Sequence, residues 1–242
     1  MAIFGLFGGK ASASSVRKHV ERAGNKRAQD VDRWSSIQAL AKIGTEDALA
    51  GLLKRFTFYV DSGITDQEEK DAAFAAIVAA GDKAIPPVVA FLGRSESIAW
   101  PLKILDALCE RPVVVGHLLS LLEKMDTEYE RDPQRKLDLI MAVGERPDPR
   151  ALPVLERFLE DTNETARFNA VGALLAQAEA GEAAAALLAC HDSEESLRVR
   201  NRILEGLADL ETVVPDARRS AFQGALPAGI TLDSQGVLRR QD

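Results

Sequence analysis

Apolar residues along the chain recur at three- and four-residue spacing, the interval of one helix face. Strand-like alternation is nearly absent until the C-terminal end. Leu152, Leu155, Phe158 and Leu159 share one such face, and Phe168, Val171, Leu174 and Leu175 share the next. Small or turn-forming residues close each segment. SSIQALAKIG ends at Gly44, DAAFAAIVAAG at Gly81 and LKILDALCERP at Pro112, while LDLIMAVGERP turns at Gly144, FNAVGALLAQAEAG closes at Gly181 and RNRILEGLADL stops near Leu210. A second apolar stretch follows each of them, as in ALAGLLKRF, IPPVVAFLG, VVGHLLSLL, ALPVLERFL and AAAALLACH. Pro86, Pro112 and Pro153 lie near predicted helix starts, where a missing N–H costs little. Pro101 fits the first turn of its helix, with Ser95 or Ser97 as the cap. Only ITLDSQGVLRR, Ile230 to Arg240, reads as strand, and it predicts a small hairpin or a loose tail.

The segments return at intervals of about 30 to 37 residues. A helical pair of that size cannot bury its apolar stripe alone, so successive pairs must stack and share a continuous core. The alanine-rich stretch from Ala183 to Ala189 lets neighbouring helices approach closely. Two tryptophans and two tyrosines suit a thin layered core better than a cofactor pocket. The expectation is an all-α array over 14–226, with an apolar segment before it (1–13) and a tail or small hairpin after it (227–242). RFTFYVDSGITDQEEKD (55–71) exceeds the pattern and reads as an extended helix or inserted loop.

ALPVLERFLEDTNETARFNAVGALL resembles a HEAT repeat. It has proline at the first helix start (Pro153), leucines at 155 and 159, an aspartate in the turn (Asp161), and arginine and alanine early in the second helix (Arg167, Ala170). AAAALLACHDSEESLRVRNRILEGLADL is similar, with Asp192 in the turn and Arg200 at the arginine position. IPPVVAFLGRSESIAWPLKIL keeps the first-helix pattern but puts Trp100–Pro101 near the arginine position. The resemblance spans roughly residues 31 to 224. It implies a right-handed α-solenoid of about five to six helical hairpins, in which Asp161, Arg167, Asp192 and Arg200 support turns and stacking.

Thirty lysines and arginines face 37 aspartates and glutamates, a net charge of −7. Residues 1–33 carry Lys10, Arg17, Lys18, Arg22, Lys26, Arg27 and Arg33 against Glu21, Asp30 and Asp32, a net of +4, which leaves −11 for the rest. So acidic a body argues against specific nucleic-acid binding, which rests on several phosphate contacts. The opening MAIFGLFGGK has no basic residue before its apolar part and no clear cleavage site, so export is not expected. Ile3, Phe4, Leu6 and Phe7, followed by basic residues, suit contact with a membrane surface or a partner groove, with Phe4 and Phe7 as the contacts. No apolar run approaches the roughly 18 residues of a membrane-spanning helix. Cys109 and Cys190 are far apart, which favours a reducing cytoplasm over a disulfide framework.

GLFGGK lacks the first glycine of a phosphate loop (Phe4 stands there) and its Ser or Thr (Ala11). DTEYERD has the alternating acids of a calcium loop, but Arg131 replaces its glycine and Leu137 its last glutamate, leaving a solvated loop. Asp66, Glu68, Glu69 and Asp71 begin a helix, where negative charge suits the dipole, and read as a cap and an exposed face. Cys190–His191 is a lone adjacent pair, whose side chains diverge by about 100° on a helix. A buried thiol and a surface imidazole are expected there, with neither metal nor nucleophile. No cofactor is implied.

In HEAT arrays the second helix of each pair usually lines the concave side. Carried over, that places Trp100, Lys103, Arg135, Lys136, Arg198 and Arg202, with Arg167, on the inner surface. Trp and Arg are frequent interface anchors. The function expected is a non-enzymatic adaptor that binds another protein there. The alternative is a subunit resembling the HEAT-like bilin lyases, which act on a partner-bound tetrapyrrole. A HEAT-like DNA glycosylase would want a basic concave surface, which this chain does not offer.

Overall fold

The computed structural model describes residues 12–177, 180–222 and 226–241. These form two compact units, one running to Glu110 and one starting at Arg111. The first holds α1 (Ala13–Ala23), α2 (Asp30–Ile43), α3 (Glu46–Leu53), α4 (Gly63–Ala79), α5 (Ile85–Leu92) and α6 (Ala99–Leu108). The second holds α7 (Arg111–Leu122), α8 (Gln134–Gly144), α9 (Leu152–Glu156, prolonged by a 3₁₀ turn over Arg157–Glu160), α10 (Glu164–Leu175), α11 (Ala184–Ser193), α12 (Leu197–Asp209) and α13 (Asp216–Phe222). Strands β1 (Ile230–Leu232) and β2 (Leu238–Arg240) close it.

Local chemistry sets the boundaries. The side chains of Ser12, Thr45, Ser62, Asn163 and Ser196 each accept an N–H three residues on, satisfying a donor that the helix start leaves open. Gly44 stops α2 in the left-handed conformation at φ 60°, where a side chain would be strained. Pro86 and Pro153 sit in the first turns of α5 and α9.

Within each unit three helical pairs stack and divide between two layers. In the first, α1, α3 and α5 touch in succession, as do α2, α4 and α6, and the pairs α1–α2, α3–α4 and α5–α6 join the layers. In the second, α8, α10 and α12 form one row, and α7, α9 and α11 pair with them. Next-but-one packing of this kind is what a tandem array of helical pairs requires, because each pair borrows its cover from its neighbours. The core follows the predicted faces: Leu40, Leu52, Ile77 and Ile104 in the first unit, and Leu118, Ile140, Leu155, Phe158, Val171, Leu174 and Ile203 in the second, are fully buried. Two glycines permit close approach. A Cβ on Gly51 would lie 2.3 Å from Val20 Cγ2, and one on Gly206 would lie 2.1 Å from Leu175 Cδ1.

At the C-terminus β1 and β2 pair antiparallel, Thr231 opposite Arg239, and β2 packs on α12. Asp233 organises the turn by accepting the Gln235 and Val237 N–H groups, and Gly236 supplies a φ of 82°. The predicted hairpin is therefore formed. Among the described residues no single helix is long and apolar enough to cross a membrane.

Three local expectations are corrected. Asp66 and Glu69, read as cap and exposed face, are buried among cations. His191, expected on the surface, is buried and stacks on Phe222 of α13 with ring centroids 4.8 Å apart. Phe168, grouped with the buried Val171 and Leu174, is half-buried because arginine side chains rather than helices cover its outer side. The stretch 55–71, expected as an extended helix or inserted loop, is a 3₁₀ turn, a short loop and the first half of α4.

Candidate functional site

Charged side chains divide between those that join the helices and those that face outward. In the second unit the joining residues repeat. Lys136, on α8 and 1% exposed, donates to Asp161 Oδ2 at 2.7 Å and to the Asp126 carbonyl at 3.1 Å. Asp161 Oδ1 in turn accepts the Asn163 N–H and shapes the entry to α10. One pair later the arrangement recurs. Arg167 on α10 forks onto Glu194 at 2.7 and 2.8 Å and donates to the Asp161 carbonyl, and Glu194 accepts the Ser196 N–H before α12. Each acid thus closes its own turn and holds the cation of the preceding second helix. The guanidinium beside it holds the Glu194 carboxyl below its ordinary range, against the opposing effect of burial.

This geometry corrects two predicted roles. Lys136 is a buried joining residue and is removed from the predicted partner surface. Glu194, not Asp192, fills the acid slot in the last turn. Asp192 is exposed and reaches Arg218 at 3.4 Å. Arg200 stands four residues past the cap Ser196, as Arg167 does past Asn163. Arg200 lies near His191 and helps hold the imidazole pKa down.

In the first unit the joining charges converge. Arg33 donates to both carboxylate oxygens of Glu69 at 3.0 and 3.1 Å, and Arg55 donates to Glu69 Oε2 at 2.6 Å. Arg55 also reaches Asp66 Oδ1 at 2.7 Å, and Lys70 reaches Asp66 Oδ2 at 2.6 Å. Burial works against the Asp66 charge, yet the bonds from Arg55, Lys70 and the Val60 N–H bring its pKa down to about 2. Sequence reading missed this cluster, since Arg33 and Arg55 look like ordinary surface cations until the fold buries them.

The outward set lies on the second helices. On the first unit, Trp100 is half-buried and stacks on Phe56 at 4.6 Å, and the Lys103 ammonium lies 4.6 Å from the Trp100 ring. On the second unit, Arg198 is exposed with its guanidinium 3.9 Å above the centre of Phe168, and Arg202 lies 5.9 Å from that centre. Arg202 Nε is buried, finds no hydrogen-bond partner among the described residues, and lies against Gly172. Arg135 is half-buried, and burial lowers its pKa. Two hollows flank Arg202. One of about 300 Å³ is lined by Met141, Gly144, Glu145, Phe168 and Ala173 among others, and one of about 260 Å³ by Leu175, Gly206 and Asp209. Met141 and Phe168 were missed as surface residues because apolar side chains at helical spacing read as core. Phe4 and Phe7 lie outside the described residues.

Nucleophilic chemistry has little support at the two thiols. Burial, then the Glu194 charge, pushes the Cys190 thiol up to about 11, and burial raises Cys109 as well, so both favour the protonated form. Among the described residues no three His, Cys, Asp or Glu side chains gather to hold a metal ion.

Residues 117–208, all within the second unit, match the family model described as HEAT repeats. This stretch is built of HEAT repeats. No match was found among curated proteins. HEAT repeats are in general protein–protein interaction elements, and scaffolds built from them are typically non-enzymatic.

Proposed function

We propose that this HEAT-repeat protein is a non-enzymatic adaptor that binds another protein over the outward side of its second helices. Trp100 and Lys103 are the contacts on the first unit, and Arg135, Arg198 and Arg202 are those on the second. The observation that carries the reading is the cationic–aromatic surface at Phe168, Arg198 and Arg202, on a repeat array in which Lys136–Asp161 and Arg167–Glu194 join neighbouring helices. Arginine and aromatic side chains are the types that most often carry interface energy.

Site-specific photo-crosslinking in the native host tests it. A crosslinker replacing Met141, on the second-helix side, is expected to trap one protein reproducibly, and the same crosslinker at Ala189, on α11, is expected not to. Equal trapping at both positions, or none at Met141, would overturn the proposal.

A further inference from the structure

We infer that the Phe168–Arg202 surface takes a carboxylate-bearing segment of the partner, with an aspartate or glutamate at Arg202 and an adjacent apolar side chain in the hollow beside Met141. This deepens the adaptor reading and rests on it.

The argument begins with an uncompensated donor. The cations that join helices each have an acid: Arg33 and Arg55 share Glu69, Lys70 has Asp66, Lys136 has Asp161, and Arg167 has Glu194. Arg202 differs. Its Nε is buried without a partner, and a donor withdrawn from water gains most from a charged acceptor. Gly172 leaves the guanidinium a flat floor: a Cβ there would lie 3.5 Å from Nη2 and 3.9 Å from Nε. Acids nearby are engaged elsewhere. Asp209 is held by Arg240 through both oxygens, and Glu164 accepts the Ser196 hydroxyl at 2.7 Å.

The surroundings select among anions. Glu145 lines one hollow and Asp209 the other, so a polyphosphate strand would meet negative charge on either side of Arg202. A single carboxylate avoids both. The hollow of about 300 Å³ is floored by Gly144, Gly172, Ala173 and Ala176 and walled by Met141, 52% exposed, and Phe168. Small and flexible apolar walls accept an aliphatic side chain. Arg198, stacked on Phe168 and 3.8 Å from Glu164, stands at the rim.

Fluorescence anisotropy on the full chain tests the assignment. The probe is a labelled twelve-residue peptide of leucine, alanine and serine with one glutamate beside a central leucine. Its partners are the same peptide with glutamine in place of that glutamate, and a labelled oligothymidylate. The acidic peptide is expected to bind about tenfold or more tightly than the amide peptide, and Arg202→Met is expected to abolish that preference. Arg202→Lys recovers only part of it, because the ammonium lacks the two-pronged fit. Arg131→Met, at an exposed loop position, leaves it unchanged. Circular dichroism of each variant confirms folding.

Equal binding of acidic and amide peptides overturns the assignment. So does an equal loss from Arg131→Met, or preferential binding of the oligothymidylate. If the protein trapped at Met141 is still trapped in the Arg202→Met background to the same extent, the carboxylate assignment falls while the adaptor reading stands. If nothing is trapped in either background, the adaptor reading falls.

Discussion

The two units solve one packing problem with opposite distributions of charge. In the first, Arg33, Arg55, Asp66 and Lys70 gather around Glu69, so that two buried guanidiniums share one carboxylate, Arg55 reaching Asp66 and Arg33 reaching Asp30 besides. In the second, the charges are spaced along the array, one cation to one acid at each junction: Lys136 to Asp161, then Arg167 to Glu194. A pair confined to one junction can be copied at the next, and its sequence signature is copied with it. A converged cluster cannot. The stretch that matches the HEAT-repeat model, residues 117–208, falls inside the unit with the copied pairs.

Breaking the convergent cluster is the strongest test of the difference. Glu69→Ala leaves two buried guanidiniums without their shared acceptor and is expected to cost about 3–5 kcal/mol, as for other broken buried pairs. Urea unfolding measures the loss, and hydrogen exchange should place it in α2 and α4. Asp161→Ala strands one ammonium that keeps its bond to the Asp126 carbonyl, so about 2–3 kcal/mol is expected, confined to α8 and α10. Equal losses, or losses spread over both units, would erase the distinction. Gly51→Ala comes next. A methyl driven into the branched Val20 side chain should cost about 1–3 kcal/mol in the first unit, read as a lower thermal midpoint.

The smallest expected effect separates the units by pH. Burial and Arg200 lower the His191 pKa below its ordinary 6.5, so the unfolded chain takes up the proton first. The stability that this group confers is complete above pH 6.5 and is lost as the pH falls below it. Its slope is at most about 1.4 kcal/mol per pH unit, the limit for one proton. His191→Leu should remove that slope. Asp66 titrates from an ordinary value of 3.8 down to about 2, so its contribution to the first unit is intact above pH 3.8 and disappears between those values. Acid unfolding monitored separately in each unit should therefore weaken the second before the first.

Much of the fold was legible because periodicity reports it directly. The three- and four-residue spacing marked the helices, Gly44 and the prolines marked ends and starts, and the interval between segments implied stacking. The Ile230–Arg240 strand signal foretold the hairpin. Partner choice among charges was less legible. Asp161 and Arg167 stand in the turn and second-helix positions that the resemblance assigned, but Asp161 bonds Lys136, one pair earlier, and Arg167 bonds Glu194, one pair later. Nothing local in sequence separates a lysine that ends buried, such as Lys136, from an arginine that ends outside, such as Arg198. Both follow a helix start closely, and only the neighbouring helix decides. Phe168 was hidden for the converse reason: it keeps the apolar spacing of the core while its ring faces an arginine.

Hydrogen exchange on the full chain with and without the saturating acidic peptide examines the central claim most directly. Slowed exchange confined to α8, α10 and α12 of the second unit, absent in Arg202→Met, is the predicted result. Protection centred on α7, α9 and α11, or on the first unit, would contradict it.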